Sequence, residues 1–192
     1  LFGRGALIGG VNIIQNKPDL FEPEVSGTLR VGDFESLGLT GVVNAPLIEG
    51  QLGARIAGTY RGRDGYVRNA LGGDNLAAVQ LDAIRASMTW APSSDFSATL
   101  IYNTQRDDNS GTPFKSKAFN PPGGDNSPFT AAALNISAPG FEGDRALGLD
   151  RRVNSGTLLA DWQLSEAFSL TSITGFRDFE SLEIFDPDGS QN

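Results

Sequence analysis

Apolar and polar residues alternate along several stretches of the chain, and this period of two constrains the fold more than any other feature of the sequence. In residues 52–60 every even-numbered position is apolar or glycine, and the opposite face carries Arg55, with Arg61 next in line. Successive side chains of a β-strand point to opposite faces of a sheet. Such a stretch is therefore a strand with one apolar and one polar face, and we predict an all-β, antiparallel fold.

The same pattern predicts about seven strands joined as antiparallel hairpins. In chain order they cover residues 25–32, 36–44, 52–61, 84–90, 96–103, 153–164 and 168–179. The facing of the last strand is not assigned, because Leu170 and Ile173 fall on opposite faces. Residues 19–24 are predicted to be a linker, because they are mostly polar and contain Pro23.

The predicted connections differ in length in a regular way. Those at 33–35, 46–50, 91–95 and 164–167 are short, whereas 64–80 and 107–151 are long and rich in loop-forming residues. After the first turn, 33–35, short turns and long loops alternate, so the short turns lie at one end of the strands and the long loops at the other, as is typical of outer-membrane β-barrels. A soluble β-sandwich would show the same alternation within each strand, so alternation alone leaves both architectures open.

Aromatic side chains are predicted at both ends of the strands, beside the short turns and beside the long loops. Two such girdles are what a bilayer-spanning sheet places at its two interfaces. In a sandwich the same rings would fill the ends of the core. The predicted interface aromatics are Tyr60, Trp90, Phe96, Tyr102, Trp162 and Phe168.

Charge is absent from the apolar positions that define the first five predicted strands. A lipid-facing Arg or Lys at the middle of a bilayer costs about 2–4 kcal/mol. The opposite, polar face is therefore predicted to line a hydrated lumen. The predicted lumen-facing residues are Arg30, Arg55, Arg61 and Arg85.

Composition excludes several classes of function. The chain has no cysteine and no histidine, so it lacks the usual zinc, haem and iron–sulfur ligands and a histidine general base. A net charge of −8 argues against nucleic acid as a partner. No apolar run reaches the about 18 residues of a membrane-spanning helix. We predict no catalytic residue, no metal and no cofactor, and we do not expect an enzyme.

The first residues of the chain, 1–18, are rich in glycine and end at Pro18. Gly9 and Gly10 precede the short apolar run 11–14, a pattern that predicts a tight turn feeding a buried strand. No Gly-Lys-Ser/Thr follows, which argues against a phosphate-binding loop.

The order of residues in 1–18 resembles the last conserved segment of the plug domain of TonB-dependent outer-membrane receptors. The family usually has one more hydrophobic residue between the positions of Val11 and Asn12. The motif residues carried over are Gly3, Arg4, Gly9, Gly10 and Asn12, and further matches are Phe2, Val11, Ile13, Lys17 and Pro18.

The resemblance implies that residues 1–18 end a plug domain and that residues 25–192 form the N-terminal part of an outer-membrane β-barrel. Plugged transporters have about 22 strands, so the chain is expected to be an internal piece of a longer one. In the family the plug arginine that Arg4 matches binds carboxylates of the barrel wall. The alternative for Arg4 is a solvated turn residue.

The activity that the resemblance implies is energy-coupled import of a scarce ligand, such as a ferric siderophore, cobalamin or a saccharide. Its partners would be outer-membrane lipid of a Gram-negative cell, and TonB through a segment absent from this chain. Loops 64–80 and 107–151 are the candidates for ligand contact, because binding residues concentrate on loops held by a rigid scaffold. Within them Tyr66, Arg68 and Phe114 are the candidate residues.

Two other functions stay open at this stage. A passive porin-type or autotransporter barrel would explain the aromatic girdles but not the glycine-rich opening. A soluble carbohydrate-binding β-sandwich would use Trp90 and Trp162 to stack on sugar rings.

Overall fold

The computed structural model describes residues 15–69, 74–113, 130–131 and 147–185, with 130–131 described as backbone only. The described part is all-β, and none of it belongs to a helix capable of crossing a membrane. The strands are β1 (Glu24–Gly32), β2 (Ser36–Ile48), β3 (Leu52–Arg63), β4 (Arg68–Asn69), β5 (Val79–Ser93), β6 (Phe96–Ser110), β7 (Thr130–Ala131), β8 (Gly148–Ser165) and β9 (Phe168–Ile184).

Seven of these strands form one antiparallel sheet in the order β1-β2-β3-β5-β6-β8-β9. Each strand pairs with its neighbour along the chain, except that β4 and β7 leave this order and form a separate, two-stranded parallel pair. The sheet is open, with β1 and β9 at its edges. The prediction of an all-β antiparallel sheet of about seven strands is therefore confirmed.

The strands are longer than their sequence patterns indicated. β6 runs to Ser110, β8 begins at Gly148 and β9 runs to Ile184, so the predicted loop 107–151 loses residues at both ends. At these positions the outer face changes from apolar to polar residues, but the backbones of the strands remain paired. The three register shifts lie at Pro46/Ile48, Trp90/Ser93 and Gln163/Ser165, all beside the short turns.

One face of the sheet is apolar and exposed, and we call it the outer face. Register pairs place the apolar residues of neighbouring strands side by side on it, as in Met88–Leu100–Leu158. These side chains keep about half of their surface exposed: Trp90 is 50% exposed, Leu100 54% and Leu158 44%. Contacts between strands in the described part join only hydrogen-bonded neighbours, so no second layer covers this face there.

The opposite, inner face is polar, and it is the better packed of the two. The buried residues of the large sheet are mostly polar and belong to this face: Asn44, Ser87, Thr89, Thr99 and Asp107. Hydroxyl pairs link neighbouring strands across it, with Oγ1 to Oγ1 distances of 3.1 Å for Thr40–Thr59 and 3.0 Å for Thr89–Thr99. Burial in this sheet therefore follows hydrogen bonding and not hydrophobicity.

The structure also assigns the facing of β9. Leu170 pairs with Trp162 and Phe176 with Gly156, which puts both on the outer face, whereas Ile173 pairs with Leu159 on the inner face. Phe179 is on the inner face as well. The edge strand thus carries apolar residues on both faces, which is why its sequence period is ambiguous.

Outer-face charges occur only where the strands extend towards the long connections. A register row joins Asp82, Arg106, Arg152 and Glu180 there. On β6 the outer face carries no charge from Phe96 to Thr104, a length close to the about 9–11 residues of a tilted membrane-spanning strand. The apolar band thus ends at a defined level.

Candidate functional site

The residues before β1 are anchored to the inner face at the end of the sheet that carries the short turns. We call residues 15–23 the connector. The Asn44 side chain accepts a hydrogen bond from Asp19 N (3.0 Å) and donates two, to Asp19 O (3.1 Å) and Glu22 O (2.7 Å). Asn44 is only 2% exposed. A side-chain amide can bind backbone donors and acceptors at once, so one residue fixes both ends of the turn.

The turn of the connector is also held from within. Asp19 Oδ1 accepts hydrogen bonds from Phe21 N (2.8 Å) and Glu22 N (3.0 Å), which is the usual way an aspartate stabilises a turn. These backbone donors, that of Glu22 first, lower the pKa of Asp19, because they stabilise the charged carboxylate. The segment predicted as a linker therefore has a fixed conformation.

Two glycines allow the connector to approach the β2–β3 hairpin closely. A Cβ built on Gly53 would lie 2.9 Å from Asp19 O and 3.0 Å from Leu20 Cδ2. At the turn, Gly50 has a φ of +69° and donates its N–H to Leu20 O (2.9 Å). The backbone of the connector thus lies directly on the hairpin.

An ion pair on the inner face links the first strand to the third. Arg55 Nη1 on β3 lies 2.7 Å from Glu24 Oε2 at the start of β1, across the intervening β2. Arg55 was predicted to face the lumen, and it does lie on the polar inner face, beside Asn44 and the connector. Its pairing with a carboxylate of the same sheet means that its charge is already compensated.

The middle of the inner face is a row of hydrogen-bonding side chains. Arg85 Nε donates to Asn103 Oδ1 (2.6 Å), and Asn103 Nδ2 donates to Ser155 Oγ (3.3 Å). Register continues this row to Arg177 on β9. The prediction placed Arg85 on this face but missed Arg177, because the facing of β9 could not be read from its sequence.

The other two predicted lumen residues also lie on the inner face. Arg30 pairs with Gly38 on β1–β2, and Arg61 pairs with the same glycine on β2–β3. Both side chains are exposed. Together with Arg55 and Arg85 they therefore share one polar face, as the alternation predicted.

A small packed unit forms where the long connections leave the sheet. Val67 and Leu76 are its buried residues, and their backbones pair with each other. Tyr66 packs beside them, with the Arg63 guanidinium 4.8 Å from its ring centre and the Phe34 ring at 5.6 Å. Phe34 has a positive φ of 58°, a conformation that costs energy for a side chain of this size. Its ring contact and the hydrogen bond from Asp64 N to its carbonyl (2.8 Å) hold it there.

The three candidate ligand residues differ in their positions relative to this packed unit. Tyr66 is half-buried within it and Arg68 is exposed on β4, which pairs with β7. The two long connections therefore meet beyond the end of the sheet. Phe114 lies outside the described residues, as do the motif residues Gly3, Arg4, Gly9, Gly10 and Asn12.

The predicted interface aromatics lie on the outer face at two levels. Beside the short turns, Phe96 contacts Trp90 (5.6 Å between ring centres) and Trp162 (6.1 Å), both edge to face. Phe168 follows at the next turn and is exposed. Towards the long connections, the Tyr102 hydroxyl donates to Asn154 Oδ1 (3.4 Å). Tyr60 lies at the same end of β3, so the rings occupy both ends of the apolar band.

Sequence reasoning missed the residues that hold the connector, above all Asn44, Asp19 and Gly53. The available signal was an asparagine on the polar face of β2 close to a turn, which any exposed strand end could also carry. Among the described residues no group of histidines, cysteines or carboxylates is placed to hold a metal ion.

Comparison of the chain with known protein families finds no match, and comparison with curated proteins finds none either.

Replacing Gly53 with alanine should release the connector. The added Cβ would lie 2.9 Å from Asp19 O, so the connector must shift, and overpacking of this kind costs about 1–3 kcal/mol. Gly41→Ala is the matched control, because a Cβ added at Gly41 would meet no atom within 4 Å. Limited proteolysis within residues 15–23 should accelerate in Gly53→Ala alone; equal rates in both variants would contradict the packing.

The connector should also lose stability in acid. The folded pKa of Asp19 is below its ordinary value of 3.8, so its contribution is complete above that pH and is lost as the pH falls through the folded pKa. The difference in free energy of unfolding between the native chain and Asp19→Asn should therefore shrink below about pH 4. A pH-independent difference would show that the carboxylate charge does not stabilise the turn.

Proposed function

We propose that this chain forms part of the wall of an outer-membrane β-barrel, together with the end of its plug. The barrel belongs in this proposal to an energy-coupled transporter of the TonB-dependent type, in the outer membrane of a Gram-negative cell. Its cargo is a scarce ligand such as a ferric siderophore, cobalamin or a saccharide. Coupling to TonB runs through a segment outside this chain.

The observation that carries the proposal is the inverted distribution of polarity. The outer face is apolar and about half exposed, while the buried side chains of the sheet, apart from Ile184, are polar and lie on the inner face. In water this arrangement loses hydrophobic stabilisation, since a fully buried Leu, Ile or Phe contributes about 1.5–3 kcal/mol. In a bilayer the outer face meets acyl chains and the inner face meets a hydrated lumen.

The connector favours a plugged barrel over a passive porin. It lies on the inner face at the short-turn end and carries the chain from residues 1–14, where the plug-like motif is found. A porin wall has no need to hold a preceding segment against its lumen. Here Asn44 binds the connector through its side-chain amide, and Gly53 leaves room for the Asp19 carbonyl.

A soluble carbohydrate-binding sandwich is supported less well. It requires a second sheet against the apolar face, and none covers that face in the described part of the chain. Trp90 and Trp162 are both edge to face with Phe96, which leaves them in an aromatic cluster at a strand end. Such a cluster suits the polar–apolar boundary of a membrane.

Tryptophan fluorescence tests the membrane placement directly. The chain has two tryptophans, Trp90 and Trp162, and both lie at the short-turn level of the outer face. In lipid vesicles that hold the whole barrel with Trp90 and Trp162 as its remaining tryptophans, bromine near the headgroups should quench them strongly and bromine at the acyl-chain ends weakly. Equal quenching by shallow and deep bromines, or none, would contradict an interfacial location.

Adjacent leucines on β8 provide a matched pair of charge substitutions. Leu158 is on the outer face and Leu159 on the inner face. Leu158→Arg should destabilise the vesicle-inserted protein by about 2–4 kcal/mol, the cost of a lipid-facing arginine at mid-membrane. Leu159→Arg should cost clearly less, because its charge can reach the lumen.

Urea titration of the vesicle-inserted variants measures the two costs. The reverse order, with Leu159→Arg the costlier variant, would place Leu158 in water and not in lipid. That order would overturn the barrel.

A further inference from the structure

A concave groove of about 450 Å³ lies at the middle of the inner face. This volume is within the about 300–1,000 Å³ typical of small-molecule sites. Its polar lining includes Gln15, Arg85, Asn103, Gln105, Ser155 and Arg177. The groove is thus lined by strands β2, β3, β5, β6, β8 and β9 together with the first described residue of the connector.

The two arginines of the groove have no carboxylate partner among the described residues. The ion pairs there join Arg55 to Glu24, Arg151 to Asp107 and Arg106 to Asp108, and none involves Arg85 or Arg177. Arg85 is held in place by the neutral Asn103 side chain. Arg177 lies 5.9 Å from the centre of the Phe179 ring, also a neutral partner.

Carboxylates are missing from the register rows next to Arg85 and Arg177, and the nearest along β6, Asp107, is bound by Arg151 and by Gln105 of the groove. The register row of Arg85 and Arg177 contains Ala57, Asn103 and Ser155, and the next inner-face rows on either side contain no Asp or Glu from β3 to β9. Residues 15–17 of the connector, the first of which lines the groove, also contain no acid. The groove is therefore cationic although the chain as a whole carries −8.

The spacing sets the size of a complementary ligand. Arg85 and Arg177 are separated by three strand intervals, about 14 Å between their backbones, and both side chains line the same groove. Asn103, Gln105 and Ser155 lie between them and supply donors and acceptors. A molecule with several anionic groups that lies along the groove can meet both guanidinium groups and these neutral side chains at once.

We infer that this groove binds a small polyanion, a molecule carrying two or more carboxylate or phosphate groups. Arg85 and Arg177 bind its outer charges through charge-assisted hydrogen bonds. Asn103 sets the direction of the Arg85 guanidinium. The inference deepens the proposed function, on which it rests, by naming the chemical class of a ligand that meets the wall inside the lumen.

The test is calorimetric titration of the detergent-solubilised whole barrel that contains this chain with tripolyphosphate and, separately, with citrate. Binding of either is expected, and the two probes distinguish phosphate from carboxylate chemistry. Arg85→Gln and Arg177→Gln should each weaken binding about tenfold or more, the loss of one hydrogen bond to a charged group. Arg61→Gln is the control, because Arg61 is an inner-face arginine outside the groove, and it should change affinity less than about twofold.

Lysine variants distinguish the loss of a charge from the misfolding of a variant. Arg85→Lys and Arg177→Lys keep the charge and should retain more affinity than the glutamine variants. Absence of binding to the native chain would overturn the inference, and so would an equal loss in Arg61→Gln, which would reveal diffuse attraction.

This titration needs no bilayer, so it is separate from the fluorescence test of the barrel. A native chain that passes the fluorescence test but binds neither anion keeps the barrel and loses the polyanion site.

Discussion

The structure depends on one constraint, which is that hydrogen-bonding side chains occupy the packed face of the sheet and apolar side chains occupy the exposed one. Thr89 and Thr99 bond to each other where a soluble protein would place two aliphatic residues. Leu100, next to Thr99 in sequence, points away from them and stays 54% exposed. A strand cannot be shifted by one residue without exchanging these faces, so this constraint also fixes the register of every neighbouring pair.

The polar inner face explains how the sheet can hold a backbone segment without burying apolar surface. The connector brings backbone N–H and C=O groups that need partners, and an apolar face would leave them unsatisfied. Asn44 meets that need at Asp19 and Glu22, and Gly53 removes the side chain that would stand in the way. The same chemistry that makes the inner face compatible with water therefore makes it compatible with the backbone of the connector.

Much of the sheet could be predicted from the sequence, because alternation is a local property. The residues of β3 show it without interruption, and the structure confirms their facing. The ends of β6 and β8 could not be predicted, since Thr104, Arg106 and Asp108 stay paired in the sheet after the outer face turns polar. The alternation of polar and apolar residues reflects what each face of a strand contacts. It does not show that two strands stay hydrogen-bonded after those contacts change.

The candidate site was harder to predict, because its residues come together through register across many strands. Arg85 and Arg177 are far apart in the sequence, and only the pairing of β5, β6, β8 and β9 puts them in one row. Asn44 and Asp19 are likewise separated by β1 and its turn. Alternation identifies the face of each residue, but it does not give the neighbours of that residue on the face.

Charge is distributed unevenly between the two faces, and this matters more for the lumen than the net charge does. Carboxylates on the outer face lie beyond the apolar band, at Asp82, Asp108, Asp150, Asp178 and Glu180. Inner-face carboxylates Asp107 and Glu24 are each bound to an arginine. A charge more than about 10 Å away across water is largely screened at ordinary salt, whereas a charge in the groove is not. An anion in the groove would therefore respond to Arg85 and Arg177 and not to the acidity of the chain.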